Sequence, residues 1–139
     1  MMNFPEKVTI NSFKTTIVPR YSETDQGGVI HNSVYPVWFE IGRTELLRAN
    51  KVAYKDLEAA GIFFVVAEIH IKYRRPAFYD ETLEIETTCD KVTASKIIHT
   101  YKITDPKTGI TVAEGMTALA CINKDGKVRR IPDFMYPAE

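Results

Sequence analysis

Apolar residues recur along this chain with two different periods, and the change from one to the other falls at Gly61. Upstream of it, Ser33 to Arg48 carries apolar positions at helical spacing. Val34, Val37, Trp38 and Ile41 form one face, and Tyr35, Phe39 and Leu46 form another. The pattern predicts one long helix, apolar on most sides and therefore wrapped by other structure. Pro36 restricts where that helix can begin, because proline fits only where an N–H would go unpaired. With Ser33 as N-cap, Pro36 falls in the first turn. Tyr54 to Ala60 reads as a short second helix that Gly61 can end in a left-handed conformation. Before both, Val8 to Pro19 is rich in β-branched residues and reads as a strand.

After Gly61 the period is two. Phe63, Val65, Ala67, Ile69, Ile71 and Tyr73 alternate with Glu68, His70, Lys72 and Arg74. Leu83 to Cys89 and Ile97 to Ile103 repeat the alternation. Asp105 to Gly109 and Lys124 to Lys127 are turn sequences, the second a hairpin signal. Gly115, inside the strand Val112 to Ile122, suggests a bulge. The order is strand, long helix, short helix, then a run of antiparallel strands, which is an α+β layout. One helix covers only part of such a sheet, and the remainder needs pairing or cover from elsewhere, so the layout favours a dimer.

The 139 residues fit one domain, taken as 1–139, and the chain is 45% hydrophobic, enough for a core without staples. Eighteen basic and eighteen acidic residues cancel, and nothing in the overall charge points to nucleic acid or a membrane surface. No apolar run is long enough to span a bilayer. The first residues, Met1 to Lys7, lack the layout of a signal peptide, so cytoplasmic residence is expected. Cys89 and Cys121 form no CxxC or His-rich cluster, so neither a disulfide framework, a metal site nor a cofactor is expected.

The chemistry concentrates in Asp25-Gln26-Gly27-Gly28-Val29-Ile30-His31-Asn32, which runs into Ser33-Val34-Tyr35-Pro36. A carboxylate stands just before a glycine pair, and the pair leads into a helix N-terminus with its free N–H groups. A base beside fixed donors is what hydrolysis of an acyl compound needs. Taken alone, Asp before glycine is more often the cap of a turn. Gly27 and Gly28 allow a tight turn and close approach of the backbone to a reactant.

This stretch resembles the signature of the hot-dog-fold thioesterases, in particular the 4-hydroxybenzoyl-CoA thioesterase-like acyl-CoA thioesterases. Asp25, Gly28, Ile30, Tyr35, Phe39, Glu40 and Arg43 fill the family's places, with Ile30 standing for its usual Val. Glu68, Tyr73, Arg75-Pro76-Ala77 and Tyr79-Asp80 are similar to its second strand and the following turn. Ala113-Glu114-Gly115 and Arg129-Arg130-Ile131-Pro132 are similar to its last strands. The resemblance implies a hot-dog fold, an acyl-CoA substrate, and dimers that often pair into tetramers. It implies that Asp25 acts as nucleophile or as general base on water, and the residues do not choose between these. The oxyanion matches backbone N–H groups around Asn32 and Ser33. His31 and Asn32 would orient substrate or Asp25, or His31 would donate a proton to the leaving thiolate.

Glu40 and Arg43 are i, i+3 neighbours and pair on the helix, with a helix glutamate keeping a small claim as catalytic carboxylate. Tyr35, Trp38 and Phe39 line either an acyl pocket or the core. The phosphates of coenzyme A need basic residues at the rim, and Arg74-Arg75, Lys96 and Lys127 to Arg130 are the candidates. Rival readings are an acyl-carrier-protein thioesterase, a hot-dog dehydratase and a non-catalytic acyl-CoA-binding protein. The dehydratase pattern is missing an Asn-Pro between Asp25 and His31.

Overall fold

In a computed structural model the described residues are 4–25 and 27–136. Five strands form one antiparallel sheet: β1 (Ser12–Ile17), β2 (Phe63–Tyr73), β3 (Leu83–Val92), β4 (Ile97–Thr104) and β5 (Thr111–Ile122), in the order β1-β3-β4-β5-β2. Consecutive strands β1 and β2 therefore occupy opposite edges. Between them the chain crosses the sheet face as α1 (Tyr35–Ala49) and α2 (Tyr54–Ala59). The alternation of β3 and β4 turns Leu83, Ile85, Tyr101 and Ile103 toward α1, where they bury Trp38 and Phe39. A second apolar cluster, with Leu57, Ile97, Leu119 and Ile131, fills the far end under α2. One long helix cradled by one antiparallel sheet is the hot-dog fold.

Several details depart from the sequence reading. The first strand is shorter than Val8 to Pro19, because the Asn50 side chain takes the amides of Thr9 and Ile10 at 2.9 and 2.8 Å and holds that segment off the sheet. The helix is not wrapped on all sides, since Val37 and Ile41 stay exposed in the single chain. Its N-cap is Val34 without a side-chain bond, not Ser33. A bulge at Val66/Glu68 in β2 breaks the simple alternation. It places Val66, opposite buried Leu119, on the same face as Ile69 and Tyr73, opposite buried Thr117 and Ala113. Gly115 makes no bulge. A Cβ there would come within 2.8 and 2.9 Å of the Phe39 ring, so the missing side chain lets α1 seat against the sheet. The hairpin after Lys124 closes with a single bridge, Ile122 to Val128, rather than a further strand.

The outward face of the sheet is polar. Lys14, Glu86, Lys102, Glu114 and Lys72 stand opposite one another in register across all five strands, so each charge has opposite neighbours.

Candidate active site

The Asp25 turn is a short hairpin. Thr24 pairs with Ile30, the Asp25 N–H donates to the Val29 carbonyl at 2.9 Å, and the Gly28 N–H donates to the Asp25 carbonyl at 3.2 Å. Gly28 sits at φ 75°, a conformation that L side chains adopt only with strain, and this is why glycine follows Gly27. Asp25 does cap this turn: its Oδ1 accepts the Gly27 N–H at 3.0 Å. The residue is exposed, and its Oδ2 has no protein partner among the described residues. One carboxylate oxygen thus fixes the side chain while the other faces outward.

From Gly27 to Val34 most amides are already used. Gly27 and Gly28 donate to Asp25, Ile30 to the Ala77 carbonyl, His31 to the Glu23 carbonyl, Ser33 to His31 and Val34 to the His31 carbonyl. Among the described residues, the amides of Val29 and Asn32 have no acceptor. Asn32 opens a 3₁₀ turn, Asn32–Val34, that leads directly into α1. Its N–H is therefore an unpaired donor at the positive end of the long helix. Ser33 contributes no free amide, because its N–H donates to His31 Nδ1 at 3.1 Å and its Oγ lies 2.8 Å from the same nitrogen. His31 is the cap that the sequence had suggested for Ser33.

A cleft of about 300 Å³ opens beside this amide, walled by Val29, Ile30, Tyr35, Tyr73 and Pro76. Tyr35 is a wall rather than a donor to the cleft. It is buried, its ring meets Tyr73 edge-on at 5.0 Å and Trp38 at 4.9 Å, and burial raises its phenol pKa. Behind it the Trp38 indole N–H donates to Glu23 Oε2 at 3.2 Å, and Glu23 Oε1 accepts the Arg20 N–H at 2.7 Å. Glu23 was not singled out in the sequence. Its signal was the lone tryptophan, whose buried indole N–H requires an acceptor.

The basic rim candidates divide by position. Arg75 makes a fork to Glu81 at 3.1 and 3.0 Å with Asp105 at 3.5 Å, and the Glu81 bond foremost raises its pKa. Arg74 pairs with Glu114. Both are neutralised within the chain. Arg129 and Arg130 follow β5, where the Arg129 N–H donates to the Cys121 carbonyl. Cys121 pairs with Phe64, whereas Ala113 pairs with Tyr73, so these arginines lie at the opposite end of the sheet from Asn32.

Two other concavities lack this combination. A depression of about 630 Å³ lies over the charge row of the outward face, away from Asp25. A cavity of about 260 Å³ between α1 and α2 is lined by Glu40, Arg43, Tyr54 and Glu58. There Glu40 lies 3.7 Å from Arg43, with the arginine side chain 8% exposed and the glutamate 66%. Arg43 turns inward toward Tyr54 and Tyr101, so the pair anchors the helix rather than presenting a buried carboxylate. Among the described residues no cluster of His, Cys, Asp and Glu could hold a metal ion. No helix among them is long and apolar enough to cross a membrane.

The hot-dog sheet thus carries an open carboxylate and, beside the helix entrance, an unpaired amide. The chain belongs to the Thioesterase-like superfamily, whose family model matches residues 19–138. It is 32% identical over 112 residues to YneP of Bacillus subtilis, covering 81% of this chain and 80% of that protein. It is 28% identical over 111 residues to the acyl-CoA thioester hydrolase YbgC of Escherichia coli, covering 80% and 82%. Among solved structures, the DHNA-CoA thioesterase of Staphylococcus aureus superposes with a TM-score of 0.82 at 32% identity, over 86% of this chain and 80% of that one.

Proposed function

We propose that this chain hydrolyses an acyl-CoA to the free acid and coenzyme A. The observation that carries the reading is the exposed Asp25 carboxylate on a short hairpin that runs directly into the turn bearing the unpaired Asn32 N–H, in a chain whose relatives include a named acyl-CoA thioester hydrolase. The thioester carbonyl oxygen accepts from the Asn32 N–H, and negative charge growing there is met by the helix N-terminus. Asp25 then acts by one of two routes. As general base it takes a proton from the attacking water; as nucleophile it forms a mixed anhydride that water opens. Either way the C–S bond breaks, and the thiolate leaves without needing much help from His31. Gly27 and Gly28 hold the carboxylate in place, Tyr35 walls the acyl cleft, and Ser33 supports the turn through His31.

The test is thiol release across short, long, branched and aryl acyl-CoAs by the wild type and Asp25→Asn. The variant is expected to fold and to lose at least about two orders of magnitude in turnover. Near-wild-type turnover would move the chemistry away from Asp25, with Glu40 next to be examined. Hydrolysis of an acylated carrier protein in preference to acyl-CoA would favour the carrier-protein alternative.

The working unit is a homodimer or a larger homo-oligomer. β2 is an 11-residue edge strand with Val65, Val66 and Ile69 exposed, a long apolar edge of the kind that pairs with another strand. Antiparallel pairing of two such edges brings the Arg129–Arg130 segment of the second copy to the same end of the assembly as Asn32, where coenzyme A phosphates need cations. Sedimentation at micromolar protein is expected to give a dimer or tetramer; a stable monomer that still hydrolyses acyl-CoA contradicts this arrangement.

A further inference from the structure

One peptide group in the entrance to α1 is held from both sides. The peptide joining Asn32 to Ser33 has its carbonyl bonded by the Tyr73 hydroxyl at 3.0 Å and its N–H bonded by His31 Nδ1 at 3.1 Å. We propose that Tyr73 and His31 are positioning residues that clamp this peptide and so fix the direction of the adjoining Asn32 N–H. The proposal rests on the reading of that N–H as the oxyanion donor.

Each jaw of the clamp is itself braced. Tyr73 is the last residue of β2, paired with Ala113 of β5, so its backbone belongs to the sheet rather than to the loop it holds. Its ring packs edge-on against buried Tyr35 at an interplanar angle of 89°. The hydroxyl is thus delivered across 41 residues of sequence by a rigid element, although the residue is half exposed and contributes little to the core. His31 is fixed through its backbone, whose N–H donates to the Glu23 carbonyl at 2.9 Å. Its Nδ1 accepts from Ser33, so in the neutral ring the proton sits on Nε2. Nδ1 therefore serves the turn as an acceptor, and Nε2 is the nitrogen that carries the proton.

The clamp matters because an unpaired amide cannot set its own direction. An oxyanion donor acts only when it already points to where charge will develop. The conformation at Asn32 decides that direction, and the peptide after Asn32 is the one that both side chains grip. Without the grip, the 3₁₀ turn keeps the Val34 N–H to His31 carbonyl bond, at 3.1 Å, but the peptide after Asn32 loses both of its side-chain partners.

The experiment is a double-mutant cycle on kcat and KM for one acyl-CoA substrate, using Tyr73→Phe, His31→Ala and both together. Hydrogen exchange of the Ser33 amide is followed in parallel. Tyr73→Phe keeps the ring and its packing and removes only the hydroxyl. Each single change is expected to lower kcat about tenfold with KM nearly unchanged, since misdirection of a catalytic group falls on the chemical step. Because either loss frees the same peptide, the double variant is expected to fall by much less than the product of the two. Ser33 exchange is expected to accelerate in all three. Unchanged kcat in Tyr73→Phe, or a double variant that equals the product, overturns the clamp even if Asp25→Asn is inactive. If Asp25→Asn retains turnover, the reading of the site fails instead, and the Ser33 exchange rates still report whether the peptide is gripped.

Discussion

The molecule contains two groups of polar side chains close to α1, and they are built in opposite ways. At the N-terminal end of the helix, Asp25, His31 and Asn32 sit in a thin turn, exposed, with hydrogen bonds made mostly to backbone. More than two turns along the same helix, Arg43 lies among Tyr54, Tyr101 and His99 with almost no access to water. In the sealed group burial dominates: it raises Tyr54 to about 12, raises Tyr101 and lowers His99 to about 4. The open group keeps a carboxylate oxygen and an amide uncommitted. In the sealed group the Tyr101 hydroxyl is spent on Thr117 and His99 Nδ1 is shut away without a partner among the described residues, while the free capacity of the open group stays within reach of solvent. The sealed group is expected to govern stability and the open group turnover.

The largest effect should come from removing the centre of the sealed group. Arg43→Ala removes the charged side chain that Tyr54 and Tyr101 surround and leaves a void. Together these are expected to cost about 4 kcal/mol of folding stability. The Tyr101 hydroxyl keeps its 2.6 Å bond to Thr117, which limits the damage on that side. Chemical denaturation measures the loss, and turnover per folded molecule at low temperature should be close to wild type. A stable variant with lost turnover would reverse the assignment of the two groups.

The next effect is a dependence on pH. His99 is held well below its ordinary value, first by burial and then by the Arg43 charge; Cys89 faces it from β3, and Tyr101 lies 6.3 Å from it on β4. Its folded-state pKa is depressed, so the unfolded chain takes up the proton first. Stability is therefore fully present above about pH 6.5 and falls as the pH drops toward 4, by about 3 kcal/mol at most. Denaturation midpoints for wild type and His99→Leu between pH 7 and 4.5 test this. The variant should show the shallower decline. Parallel declines would mean that carboxylates, not His99, set the acid limit.

The contrast also explains what could be read from the sequence. The helix, the order of elements along the chain and the turn from Asp25 to Gly28 were legible because each is a local pattern: a period, a proline, a glycine pair. Arg43 was seen only as an i, i+3 partner of Glu40, because its burial depends on Tyr101 and Tyr54 arriving from elsewhere in the chain. Ser33 was read as the cap, but the histidine two residues earlier in the turn holds that amide, and nothing in the spacing separates the two. Tyr73 looked like one more apolar position of an alternating strand. Its hydroxyl meets Asn32 only because the sheet returns β2 to the helix entrance. The bulge in β2 carried no sequence mark at Ala67 and shifted the face of everything before it.

The smallest effect is the most discriminating, because it holds strain constant and moves it between regions. Gly28 and Gly126 both sit in turns at nearly the same backbone angle, φ 75° and 80°, and at neither would a Cβ meet any atom within 4 Å. Alanine at either position therefore costs only the left-handed strain, about 1 kcal/mol, and the two variants should melt together. Gly126 closes the Asn123 to Lys127 turn, remote from Asp25, so its strain has no route to the reaction. Gly28 donates its N–H to the Asp25 carbonyl, and relaxing the strain there shifts the turn that aims the carboxylate. Gly28→Ala is expected to lower kcat several-fold where Gly126→Ala does not, a displacement of the Asp25 carboxylate well under an ångström being enough for that if it takes part in the reaction as proposed. Equal turnover in two equally destabilised variants would mean that the Asp25 turn tolerates movement, and that the carboxylate is aimed by something other than the bonds of its own hairpin.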